Sequence, residues 1–113
     1  MRVTFQAGVN NTTNGTALGA AGEDVVVHKV IIGLPVASAD LRLYTSTNPV
    51  NESATDLAWF MTLPATLGGS SQSYPFETVI DFGPQGLPLR DGGNFQQDQI
   101  CNTTIIWGLK GEV

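Results

Sequence analysis

Positive charge is scarce: five lysines and arginines against ten acids in 113 residues, for a net charge of −5. Phosphate neutralisation needs clustered Lys and Arg, so nucleic acid is excluded as a partner. Charged residues of all kinds make up 13%, about half the share of roughly 25% in ordinary domains. One cysteine and one histidine exclude an internal disulfide framework and leave too few donors for a zinc site. No apolar run approaches the roughly 18 residues that span a bilayer as a helix, so no membrane partner is expected. No helical periodicity lasts beyond two turns, which excludes a bundle or coiled coil. Met1–Phe5 reads as a strand rather than the start of a signal peptide, so the expectation is synthesis in a host cytoplasm.

What is present is turn chemistry and short apolar runs. Thirteen glycines and six prolines punctuate a chain that is 42% hydrophobic, enough for one compact core and one domain over residues 1–113. Met1–Val9 alternates through Val3, Phe5 and Ala7 and reads as a strand, either an edge or an arm. Asn10–Gly22 is almost wholly Asn, Thr, Gly and Ala, with the turn dipeptide Asn14-Gly15. Residues 1–22 therefore read as an N-terminal arm and flexible loop. Asp24–Leu34 is β-branched and apolar on both faces, the pattern of a central strand covered on both sides. Ala39–Thr45, Asp56–Leu63, Phe76–Phe82 and Ile100–Leu109 alternate with period two. Asp56–Leu63 is the one rival for a helical turn, and Pro64 with its even-spaced apolar set favours a strand. Gly83–Leu89 is a proline-punctuated strand that belongs at an edge or bulge. Asp91-Gly92-Gly93-Asn94 is a turn. The expectation is all-β: an antiparallel, jelly-roll-like β-sandwich of about seven to eight strands.

Candidate chemistry is thin. Cys101, beside apolar residues, reads as a buried free thiol. His28, between Val27 and Lys29, reads as a structural imidazole. Glu77 and Asp81 share a strand face and could pair as a glycosidase does, but a solvated face explains them as well. Asp91, Asn94 and Asp98 offer oxygen ligands for calcium or, more simply, turn-stabilising side chains. There is no Gly-x-Ser-x-Gly segment, and Gly83-Pro84-Gln85-Gly86 lacks the lysine and the N–H groups of a phosphate loop. No catalytic residue, metal ligand or cofactor is assigned, and the chain is read as a non-enzyme. If Leu57, Trp59 and Met61 pack inward, Phe60 points out.

The order of parts from His28 to Lys110 carries a resemblance. A valine-rich strand ends in Ile31-Ile32-Gly33-Leu34-Pro35 and is followed by Ala39-Asp40-Leu41-Arg42-Leu43-Tyr44. Then come Met61-Thr62-Leu63-Pro64-Ala65, Ile80-Asp81-Phe82-Gly83-Pro84-Gln85-Gly86-Leu87-Pro88-Leu89, a glycine pair, and Thr103-Thr104-Ile105-Ile106-Trp107. This resembles the small jelly-roll cement or decoration proteins on capsids of short-tailed bacteriophages. The resemblance implies a virion protein on the outer capsid surface. Its partners would be the major capsid protein and further copies of itself, as a homo-oligomeric dimer or trimer. The protein-contact residues on this reading are Val3, Phe5, Asn11, Asn14, Tyr44 and Phe60. The alternative is a carbohydrate- or receptor-binding β-sandwich module of a phage tail or fibre. That reading needs an exposed row of Tyr44, Phe60 or Trp107.

Overall fold

A computed structural model describes residues 1–6, 15–33, 39–47, 56–63, 77–98 and 101–111. Among these there is no helix. Nine strands run β1 Arg2–Gln6, β2 Thr16–Leu18, β3 Val25–Gly33, β4 Ala39–Tyr44, β5 Leu57–Leu63, β6 Glu77–Asp81, β7 Leu87–Leu89, β8 Gly93–Gln97 and β9 Thr103–Leu109. They form two sheets. The first has the order β1-β9-β3-β6, with β7 also paired to β3; the second is β2-β8-β4-β5. Every strand pair is antiparallel. With β7 set aside, successive strands alternate between sheets through β4, and the order is that of a jelly roll. The expected antiparallel sandwich is therefore the fold.

The core lies between the sheets. Val25, Val27, Val30, Ile32, Leu89, Ile105 and Trp107 come from the first sheet and meet Leu18, Leu41, Leu43 and Phe95 from the second. Trp59 of β5 and Phe82, just after β6, join the two layers edge to face, with ring centroids 5.7 Å apart.

β3 corrects the expectation of a strand covered on both sides. Its buried residues are Val25, Val27, Val30 and Ile32, so the inward set changes from odd to even numbers. The pairing with β9 skips a residue between Val27 and Lys29. One extra residue in a strand is a β-bulge. The long apolar run is thus two ordinary alternating halves in opposite phase, joined at His28, and Val26 and Ile31 face outward half-exposed.

Of the two readings of the N-terminal strand, edge or arm, residues 2–6 take the edge: they pair with β9 from Arg2↔Trp107 to Gln6↔Thr103. Residues 16–18 pair with β8. The Thr16 hydroxyl donates to the Gln6 side-chain oxygen, tying the two strands together. β8 begins inside the expected turn at Asp91–Asn94 and was not anticipated as a strand. β5 is a strand, as Pro64 suggested, and β7 is an edge strand, paired with β3 alone.

Candidate interaction surface

β1 has an inverted polarity. Its partners Trp107, Ile105 and Thr103 are buried, so Arg2, Thr4 and Gln6 take the inward side of the sheet. Two contacts secure them there. The Trp107 indole Nε1 donates to Thr4 Oγ1 at 2.9 Å, and the Arg2 guanidinium lies 5.2 Å from the centre of the Trp107 ring. Alternation then turns Val3 and Phe5 outward, where they remain 66% and 61% exposed.

These two side chains head cross-strand rows on the outer face of the first sheet. Phe5 lies opposite Thr104, Thr104 opposite Ile31, and Ile31 opposite Val79. The next row is Val3, Ile106, Lys29 and Asp81. Val79 is 53% exposed. The second row ends in a solvated ion pair, Lys29 Nζ to Asp81 Oδ2 at 3.9 Å, which contributes little to stability. Full burial of a Val or Phe side chain is worth about 1.5–3 kcal/mol, so covering the open part of Val3 or Phe5 would gain about 1–2 kcal/mol each. A shallow cleft of about 360 Å³ adjoins these rows, lined by Met1, His28, Lys29, Asp81, Pro84 and Ile106.

The second sheet presents a different outer face. β8 is buried along its whole length. Phe95 points to the core, which puts Asn94 and Gln96 on the other side, each 1% exposed. Tyr44, the register partner of Asn94, is 7% exposed and lies outside the core cluster. It is therefore covered on the outer side, which corrects its expected role as a contact residue. A bulge opposite Tyr44, where β5 carries the extra residue Ala58, separates Leu57 from the inward pair Trp59 and Met61. Phe60 does point outward, 47% exposed, with Arg42 5.2 Å from its ring centre. Phe60 thus lies on the opposite side of the sandwich from Val3 and Phe5, and the three do not form one patch. Asn11 and Asn14 lie outside the described residues.

Several polar and titratable groups have structural partners. Gln97 Nε2 donates to the Cys101 carbonyl at 2.8 Å, and Thr103 Oγ1 donates to Gln97 Oε1 at 2.9 Å. Both side chains are fully buried. Cys101 is the expected buried free thiol. Burial pushes its pKa up, with Asp98 adding to the rise and the Thr103 hydroxyl opposing it. Asp91 and Asp98 flank the two ends of β8. Asp91 Oδ1 accepts from the Gly22 N–H and Asp98 Oδ1 from the Asp40 N–H, so both carboxylates cap main-chain donors, as the turn-stabilising reading has them. Of the suggested carboxylate pair, Asp81 engages Lys29; the Glu77 side chain lies outside the described residues. The His28 carbonyl accepts from the Phe82 N–H at 3.0 Å, tying the bulge to the end of β6. A second cleft of about 600 Å³, lined by Asp24, Val26, Gln85, Pro88, Arg90 and Lys110, holds one carboxylate and two cations.

No family model, curated protein or solved structure matched this chain.

Proposed function

We propose that the chain is a non-enzymatic virion structural protein that binds the outer capsid surface and stabilises contacts between major capsid subunits. The observation that supports this reading is the outer face of the first sheet, where Val3, Phe5 and Val79 stand open on a regular strand platform. Exposed apolar side chains grouped in rows mark contact surfaces. The jelly-roll order fits too, since capsid and lectin domains both use it, although a fold alone does not name a function. The alternative, a carbohydrate- or receptor-binding module, draws less support. Of its three expected aromatics, Tyr44 and Trp107 are buried and Phe60 alone is exposed.

The test is co-sedimentation of the purified chain with phage shells assembled without it. Binding that weakens at least tenfold in Val79→Asp and Phe5→Asp variants, with shells that resist heat better when coated, is the expected result. Absence of binding to such shells, together with glycan binding sensitive to Phe60→Ala, would replace this reading with the alternative.

A further inference from the structure

We infer that the cleft beside Val26, at the far end of the first sheet's outer face, binds a small organic monoanion: a carboxylate between Arg90 and Lys110, with its apolar body on the cleft floor. The three charged side chains that border the cleft come from three adjacent segments of the sheet. Val25 pairs with Leu89 on one side and with Leu109 on the other, and the Lys110 N–H donates to the Asp24 carbonyl at 2.8 Å. One step beyond Val25, Asp24 therefore stands between Arg90 and Lys110. Val25 and Leu89 are buried and Leu109 packs against the core, so alternation turns Asp24, Arg90 and Lys110 to the outer face, where all three are exposed. All three line the cleft of about 600 Å³, a volume inside the range of roughly 300–1,000 Å³ usual for small-ligand sites.

Charge identifies the head of the ligand. The chain has five cations, and three are engaged: Arg2 lies over Trp107, Lys29 is 3.9 Å from Asp81 and Arg42 is 3.5 Å from Asp40. Arg90 and Lys110 make no side-chain ion pair among the described residues, and both border this cleft. A chain of net charge −5 thus keeps its two spare positive charges at one concavity. Adjacent strands are about 4.8 Å apart, which sets the Arg90 and Lys110 backbones roughly 10 Å apart, so both long side chains reach a shared anion. The guanidinium fork matches the two oxygens of a carboxylate. Asp24 sets the ligand's charge: two positive groups and one negative suit a single negative charge, and a phosphate dianion meets twice the repulsion from Asp24. The floor sets the body. Val26 faces outward and pairs with Pro88. Gly86 presses the preceding turn onto it: φ is +73°, and a Cβ there would sit 2.4 Å from Val26 Cγ1. That contact holds Gln85 at the rim, with a side-chain amide for a polar group of the ligand. Solvated ion pairs are individually weak, so the expected affinity is millimolar.

The test uses the free full-length chain, without shells, so its outcome is independent of whether a capsid is the partner. The probes are hexanoate, its neutral counterpart hexanamide, and methyl phosphate as the dianion. Each is titrated at low salt into isotope-labelled protein and followed by NMR. Hexanoate should shift the amide resonances of Val26, Gly86, Arg90 and Lys110 saturably, and hexanamide should bind at least tenfold more weakly. Methyl phosphate should also bind more weakly than hexanoate. Arg90→Gln should weaken hexanoate at least about fivefold, and Asp24→Asn should tighten it several-fold. Opposite signs from neighbouring substitutions separate a change of charge from damage to the fold. Both side chains are exposed, so the core is spared and thermal unfolding should be unchanged in both variants. No saturation by about 100 mM, equal binding of hexanamide, or shifts elsewhere on the sandwich overturns the inference. So does tighter binding of methyl phosphate, or hexanoate binding that is unchanged or weaker in Asp24→Asn.

Discussion

On the outer side of one sheet, Val3, Phe5 and Val79 stand open to water; on the outer side of the other, Asn94, Gln96 and Tyr44 are sealed. Residue polarity alone predicts the reverse. Scattered exposed apolar residues need no explanation, but buried amides and aligned apolar rows do. The sealed side is costly to build, because a buried polar group without a partner loses its hydration. Asn94 Oδ1 and Gln96 Nε2 are buried atoms without a hydrogen bond of their own. The open side imposes no such demand on the folded chain, and its cost is apolar surface left open to water. The contrast separates a face devoted to stability from a face available for contact.

Four substitutions would break or sharpen that contrast. The largest effect is expected on the sealed side at Gly15. It has a positive φ of 65° and packs so closely on Asn94 that a Cβ would sit 1.9 Å from Oδ1. Gly15→Ala should destabilise by about 3 kcal/mol or more in denaturant unfolding, from strain and overlap together. Gln97→Leu comes next. It strands the Thr103 hydroxyl and the Cys101 carbonyl in a buried place, at a cost of about 1–3 kcal/mol by the same measurement. Gln96→Leu has the opposite sign: it removes an unpaired buried donor and should raise stability by up to about 1 kcal/mol. Smallest is Val79→Thr on the open face, which should change unfolding by less than about 0.5 kcal/mol while weakening shell binding measurably. An unfolding cost above that value would show that the open face serves the fold.

Cys101 adds a pH test. Its thiol pKa is raised in the folded chain, so the unfolded chain loses this proton first as pH climbs. Stability from this group is therefore complete below the ordinary thiol range of about 8.5 and falls as pH rises above it. A thiol reagent should label the folded chain slowly at neutral pH and the unfolded chain quickly. Cys101→Ser should flatten the alkaline part of the stability profile.

The sheets were legible where apolar residues or threonine alternate with polar ones. β4, β6 and β9 stand where Leu41 and Leu43, Ile80, and Thr103, Ile105 and Trp107 placed them. β8 was not legible, because Gly93-Asn94-Phe95-Gln96-Gln97 lacks β-branched residues and its amides read as loop. Its burial comes from packing on both sides, which alternation cannot register. The covered-on-both-sides reading of β3 failed for a related reason: a bulge changes phase without leaving any mark in an all-apolar run. On the outer faces, Phe60 was legible as outward-facing from the alternation of β5, whereas the outward turn of Val3 and Phe5 follows from the pairing of β1 with β9 and no local pattern carried it. Tyr44 was misplaced because its exposure depends on what covers the second sheet, not on its own strand.

β1 pairs with β9, with Arg2 beside Trp107. The ribosome therefore makes these two strands with seven other described strands between them. At ~5–20 residues per second, β1 waits on the order of 5–20 s for β9 to emerge. During that interval β1 is without the strand it pairs with. Closure of the first sheet therefore waits on β9, however early β1 is made.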